Sequence, residues 1–320
     1  MDATNDRALK ALRVSESRYR RLFETARDGI LLLNSDTAQI EDVNPYLIEL
    51  LGYSHAEFLG KKLWEVGPFA DMAESKEMFA ELQTKGYVRY EDLPLKTRAG
   101  EKVPVEFVSN TYDCEGIKVI QCNIRNITER KQMEDQVRQM AFYDALTNLP
   151  NRRLLSDRLS RAMTASRRVG CHGVVMFLDL DDFKLLNDAH GHTVGDLLLI
   201  EAANRLKSCV REMDTVARFG GDEFVVIIGG LDTDRAVARS QAEIVAKKVQ
   251  AALAVPYVLK IQHEGTAETT VEHRCTASIG MALFGKLEAI QDSVLKWADT
   301  AMYQAKAAGG NLIRVYDSAV

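Results

Sequence analysis

Residues 218–228 read RFGGDEFVVII, and the organisation of the chain follows from this run. Glycine tolerates the positive φ that a tight reversal needs, so Gly220 and Gly221 join two strands, Thr215 to Phe219 and Phe224 to Ile228. Two acids, Asp222 and Glu223, open the second strand directly after the turn. A Gly-Gly hairpin is common by itself, so its meaning depends on its neighbours.

The nearest informative neighbour is a buried strand, Val174 to Asp179, whose C-terminal end gathers Asp179, Asp181 and Asp182. Acids held close together repel unless something positive lies between them. A hard divalent cation does that, and Mg²⁺ prefers one or two carboxylates together with substrate phosphates. Taken singly, any of these acids is also explained as a solvated loop residue.

Further elements extend this half. Asp196 to Glu212 carries Leu199, Ala203, Leu206 and Val210 on one helical face. Ala236 to Leu253 reads as another helix and Thr276 to Leu283 as another strand. A helix through Trp297 to Ala307 and a last strand, Leu312 to Tyr316, complete the order. The expected fold is α+β, a βαββαβ-type antiparallel sheet with helices on one face.

The first half is a separate α+β unit. Gly29 to Leu33 reads as a short buried strand, and Asn44 to Leu51 has helical spacing that stops at Gly52. Val103, Val105 and Phe107 alternate with Pro104 and Glu106 as a half-buried strand should. Asp113 to Gly116 supplies turn residues, and Ile117 to Ile120 begins the next strand. Between the halves, Glu129 to Tyr143 contains neither Gly nor Pro. Its Met133, Val137 and Met140 are spaced by four and three, a short heptad-like seam. An ordinary linker helix has the same stripe, but the spacing suits a parallel dimer.

Composition bounds the rest. The 320 residues fit two domains, and a net charge of −5 offers no basic track for DNA. The five cysteines are scattered without a CxxC pair, which argues against a disulfide framework or a thiolate zinc site. The polar start is not a secretory signal, and no apolar run reaches membrane-spanning length. A soluble cytoplasmic protein is expected.

Several stretches also carry a resemblance. FETARDGILLLN, Asn44 and LGYSHAEFLGKKLWEV look like the opening of a PAS domain, and NIRNITERKQMEDQ is similar to its close. The usual Asp before Ile-Thr is Asn126 here, a departure expected to loosen the joint between sensor and helix. RFGGDEFVVII is the run that names the GGDEF family, and LDLDDFKLLNDAHGHTVGD resembles that family's nucleotide-binding stretch. YDALTNLPNRR, with Asn148 where Gly is commoner, resembles its opening motif; TASIGMAL and ADTAMYQAKAAGGN resemble its closing strand and helix. The expected division is a tail or helix at 1–13, a PAS sensor at 14–127, a helical linker at 128–143 and a GGDEF domain at 144–320. The last has a ferredoxin-like, palm-type core.

The resemblance implies a diguanylate cyclase that condenses two GTP molecules into cyclic di-GMP. Asp179, the Leu180 carbonyl and Asp222 would hold Mg²⁺, with Mn²⁺ able to stand in. Asp222 is the candidate base, with Glu223 as helper or second ligand. Asn187 and Asp196 would read guanine, although Asp196 is also a good N-cap before LLLIEAANRL. Lys184, Lys306 and the backbone around Asp182 and Phe183 would cradle phosphates. Position 310, often basic, is Gly310, so one phosphate contact is expected to be missing. His190 and His192 are read as structural. Arg211 and Asp214, an RxxD arrangement, with Arg218 close behind, would form a product-inhibition site, since guanidinium groups suit guanine and phosphate.

One site binds one GTP, so a homodimer is expected, with sensor and linker setting its geometry. The sensor's ligand stays open: 71–86 holds neither His nor Cys, and His55 is read as structural. The alternative is a catalytically weak or inactive module that binds GTP or cyclic di-GMP. Other rivals are a cyclase of altered base choice and a dimerisation scaffold. No phosphodiesterase domain is expected to follow.

Overall fold

The computed structural model describes residues 2–69, 72–261, 269–285 and 290–316. Met1, Asp71 and residues 317–320, which fall within the segments assigned above, lie outside the described residues. The chain divides into two compact units, residues 1–135 and 136–320.

The first unit opens with helix α1 (Asp2–Glu24), then strands β1 (Gly29–Asn34) and β2 (Ile40–Val43) and helices α2 (Pro45–Leu51) and α3 (His55–Phe58). Two 3₁₀ turns (Leu63–Glu65 and Gly67–Phe69) lead to helix α4 (Met72–Lys85) and strands β3 (Tyr87–Lys96), β4 (Lys102–Cys114) and β5 (Ile117–Asn126). The five strands form one antiparallel sheet in the order β2-β1-β5-β4-β3.

Asn44 explains how the sheet passes into α2. Its buried Oδ1 accepts from the N–H of Leu47 at 3.2 Å, capping the helix, and from Ile30 N–H at 2.9 Å in β1. Pro45 sits in the first turn and Gly52, at φ 75°, closes the last one. The alternation in β4 puts Val105 and Phe107 into a core with Leu31, Leu47, Phe58 and Ile124. Full burial of a side chain such as Phe107 contributes about 2–3 kcal/mol.

Helix α5 (Thr128–Phe142) begins directly after β5. Asn126 does not leave that joint loose. Its Oδ1 accepts from Thr128 N–H at 2.9 Å and from Thr128 Oγ1 at 2.6 Å. An amide oxygen supplies the acceptor that a carboxylate would. Met133, Val137 and Met140 on α5 are all exposed.

The second unit contains helix α6 (Arg152–Val169), strand β6 (His172–Leu180), helices α7 (Phe183–His190) and α8 (His192–Cys209), and strands β7 (Thr215–Gly220) and β8 (Glu223–Leu231). Helix α9 (Arg235–Ala254), hairpin β9 (Tyr257–Ile261) with β10 (Thr269–His273), strand β11 (Ala277–Phe284), helix α10 (Gln291–Ala307) and strand β12 (Ile313–Val315) follow. The sheet order is β12-β11-β6-β8-β7. Four of its strands, β6, β7, β8 and β11, with α8 and α9 as crossovers, are the βαββαβ core.

Two details of the expected fold are corrected. The sheet is not wholly antiparallel, because β12 pairs in parallel with β11 through Ile279 and Ile313. Helices cover both faces rather than one. Val174, Met176 and Leu178 face the core under α8 and α9, whereas Val175 and Phe177 face α6 and α10. A strand buried at every residue from Gly173 to Leu180 needs two covers.

Helix α10 lies close on β11 at Gly280. A Cβ there would overlap the Ala298 carbonyl and the Met302 backbone, so only Gly allows the approach. The close fit fixes the C-terminal turn of α10, and with it Lys306, over the end of β6.

Candidate active site

Strand register assembles the acids. Asp179, one residue before the end of β6, pairs across the sheet with Glu223 at the start of β8. Leu180 N–H reaches the Asp222 carbonyl at 3.4 Å, which ties the hairpin turn to the same strand end. Gly221 takes φ 49°, so the turn reverses without placing a side chain over the acids.

Lys306 answers this negative charge. Its Nζ lies 2.6 Å from Asp179 Oδ1, and the Asp179 side chain is only 9% exposed. Burial raises the Asp179 pKa above its ordinary value, with Asp222 adding to the rise and Lys306 opposing it. Glu223 is raised as well, first by burial and then by Asp179, Asp299 and Asp222. On Lys306, burial disfavours the charge, but Asp179 outweighs it and the ammonium is held above its usual range. A lysine drawn onto a group of acids occupies the electrostatic place of a cation.

Asp182 follows in the left-handed region, φ 57° and ψ 19°, and starts α7. That turn opens a cleft of about 540 Å³ lined by Leu180, Asp181, Asp182, Phe183, Lys184, Asp222, Lys306, Gly309 and Gly310. The cleft thus brings together most of the residues expected for metal and phosphate. Leu180 O, Asp179 and Asp222 are hard oxygen donors of the kind that Mg²⁺ accepts beside substrate phosphates. Among the described residues, no group of three His, Cys, Asp or Glu side chains could hold a metal ion. His190 and His192 end α7 and open α8, both exposed, and His55 contacts Asp42 Oδ1 at 3.1 Å.

The two residues expected to read guanine lie on neighbouring helices. Asn187 sits on α7 with its Oδ1 buried and without a partner. Gly195 on α8 is the reason it fits, because a Cβ at that position would overlap the Asn187 Oδ1. Asp196, next along, is exposed and lies inside the first turns of α8; the cap position belongs to Gly191. The alternative reading of Asp196 as an N-cap therefore falls away. Gly195 falls one residue before the helix expected from Asp196, whereas the observed α8 begins at His192 and includes it.

The three residues expected at a product site separate. Arg211 and Asp214 share one turn, Arg211 N–H donating to Asp214 Oδ2 at 2.9 Å. Asp214 borders a second cleft of about 610 Å³ with Arg158 and Arg161 of α6. Arg218 is committed elsewhere. Its Nε and Nη2 donate to the Gly221 carbonyl at 2.9 and 2.7 Å, and its Nη1 to Asp144. With its guanidinium so occupied, Arg218 is a structural tie.

A protein-family model described as diguanylate cyclase, GGDEF domain, matches residues 141–312, and a PAS domain model matches residues 27–129. The chain belongs to the GGDEF family, with a PAS domain ahead of the GGDEF domain. An uncharacterized signaling protein of Caulobacter vibrioides is 33% identical over 307 residues, covering 93% of this chain and 35% of that protein. Diguanylate cyclase DgcM of Escherichia coli K12 is 29% identical over 301 residues, 92% of this chain and 68% of the relative. Signaling protein YkoW of Bacillus subtilis is 31% identical over 314 residues, 96% of this chain and 36% of the relative. The chain thus spans about a third of the length of the Caulobacter and Bacillus relatives. The coiled coil and GGDEF domain of DgcB from Caulobacter crescentus, solved in complex with c-di-GMP, matches with 27% identity and a TM-score of 0.50. That match covers 59% of this chain and 93% of the DgcB chain. No helix among the described residues is long and apolar enough to cross a membrane.

Proposed function

We propose that this chain condenses two GTP molecules into cyclic di-GMP and two pyrophosphates. The observation that carries the reading is the cross-strand pairing of Asp179 with Glu223 beside Asp222, with Lys306 on Asp179. Asp222 and Lys306 line one cleft, and Lys306 holds Asp179.

In each half-reaction the 3′-hydroxyl oxygen of one GTP attacks the α-phosphorus of the other. The bond to the pyrophosphate oxygen breaks, and the hydroxyl proton passes to a carboxylate of the Asp222–Glu223 pair. Glu223 suits proton acceptance, since burial and its acid neighbours lift its pKa. Asp179, the Leu180 carbonyl and Asp222 would hold Mg²⁺, or Mn²⁺ in its place. That ion would supply charge neutralisation on the triphosphate and orient in-line attack. Lys184 and Lys306 face the phosphates, and the backbone around Asp182 and Phe183 adds donors. Asn187 and Asp196 read the guanine edge.

Because one cleft takes one GTP, two chains must face each other as a homodimer. The exposed Met133, Val137 and Met140 stripe of α5 has the spacing for such a pairing. The PAS unit would then act by setting that geometry. Product bound at Arg211 and Asp214 would hold the two sites apart.

Gly310 supports a second reading, a module that binds GTP or cyclic di-GMP without turnover. It lines the phosphate cleft without a side-chain cation. Incubation with GTP and Mg²⁺, with chromatographic separation of the nucleotides, decides between them. Two pyrophosphates released per cyclic di-GMP supports the enzyme, whereas bound GTP returned intact supports the module.

A further inference from the structure

Asp181 lines the nucleotide cleft beside Asp182 and Asp222, but its carboxylate is bonded to Thr276, Ser278 and Asn311. Its Oδ2 accepts from Thr276 Oγ1 at 2.6 Å and from Asn311 N–H at 2.9 Å; its Oδ1 accepts from Ser278 Oγ at 2.7 Å. Its own N–H donates to the Thr276 carbonyl at 2.9 Å. Three donors on one carboxylate leave it little free capacity for a metal ion.

The partners define what the residue does. Thr276 immediately precedes β11 and Ser278 is its second residue, whereas Asn311 closes the turn after α10. In that turn Gly309, Gly310 and Asn311 take φ of 113°, 73° and 51°, three successive residues in a region that L side chains rarely adopt. Glycine takes such φ freely, so the turn is permissive and its position is left to the bonds around it. Gly309 N–H and Gly310 N–H close α10 on the Lys306 and Ala305 carbonyls, at 3.1 and 3.2 Å. Gln250 Nε2 holds the Asn311 carbonyl from the other side at 2.7 Å. A Cβ at Gly310 would stand 3.2 Å from Asp181 Oδ1, so the turn lies directly against this carboxylate.

We propose that Asp181 is a positioning residue: its carboxylate anchors the Gly309–Asn311 turn to β11, and so sets the phosphate wall that carries Lys306. Asp181 acts on nucleotide binding through that turn and not as a metal ligand. The nucleotide part rests on the reading that the cleft takes GTP; the anchoring itself does not.

The test uses the full chain and Asp181→Asn, which replaces one acceptor oxygen with a donor. Amide hydrogen exchange is read at Asn311, together with the affinity for a non-hydrolysable GTP analogue across a Mg²⁺ titration. The expected result is faster exchange at Asn311 with β6 and β8 amides still protected. Analogue affinity should fall about tenfold, as for a lost hydrogen bond to a charged group, at an unchanged Mg²⁺ midpoint. Unchanged Asn311 exchange would overturn the proposal. So would a shifted Mg²⁺ midpoint matching that of Asp179→Asn, which would make Asp181 a ligand. If the wild type binds no analogue, the proposed function fails while the exchange arm still decides the anchoring. If Asp181→Asn also loses protection in β6, Ser278→Ala keeps the carboxylate and is read by the same measurements with the same deciding outcomes.

Discussion

Arg218 Nη1 donates to Asp144 Oδ1 at 3.0 Å and to Oδ2 at 3.2 Å, joining two residues 74 positions apart. Asp144 stands in the turn that follows α5, and Arg218 in the strand that ends at Gly220 and Gly221. The same guanidinium holds the Gly221 carbonyl, so one side chain ties the end of the linker helix to the turn that carries Asp222.

This tie has a pH signature. Burial disfavours the Asp144 carboxylate, but Thr147 and Arg218 outweigh it and hold the pKa below its ordinary 3.8. A depressed acid contributes stability above its unfolded pKa and loses it as pH falls through the folded value. Arg218→Ala should therefore destabilise the C-terminal unit by about 1–2 kcal/mol near neutrality. The gap from wild type should narrow once the pH drops below 3.8. Chemical denaturation followed across pH checks this, and a gap that is constant down to pH ~2 would contradict it.

Gly195 and Asn187 supply a second expectation. Since a Cβ at 195 would overlap Asn187 Oδ1, Gly195→Ala should displace the amide and weaken its hold on guanine. Loss of GTP over ITP preference by about tenfold is expected, as for one base-reading hydrogen bond. Asn187→Ala should lose as much, and the double variant no more. Additive losses would mean the two residues act separately.

Feedback should depend on Arg211 and not on Arg218. Arg211→Ala is expected to give a progress curve that continues where the wild-type curve stalls, with the initial rate unchanged. Stalling that persists in Arg211→Ala would remove the RxxD turn from regulation.

Much of this was legible in the sequence because the informative residues are contiguous. The Gly-Gly hairpin with its two acids and the acid-ended strand each form a single run, so their identity survives without a structure. What the chain does not spell out is direction. Asp179 and Asp181 are two positions apart in the same run, yet one meets Lys306 and the other Thr276, Ser278 and Asn311. Those partners lie about 100 residues or more away and arrive only through the register of β6 with β11 and the placement of α10.

Helix α6 went unread for a different reason. Its stripe Leu155, Leu159 and Met163 and its caps Asn151 and Gly170 were present as local signals. Six arginines interleaved over Arg152–Val169 dilute that stripe. The second face of β6 is covered by α6 together with α10. The β9–β10 hairpin is likewise absent from the expected elements.

The central claim is most directly tested by incubating the full chain with GTP and Mg²⁺ beside an Asp222→Ala variant and resolving the nucleotides. Cyclic di-GMP formed by the wild type and lost in the variant, with the variant's fold intact, is the expected result. GTP bound by both proteins and recovered intact from both would contradict it.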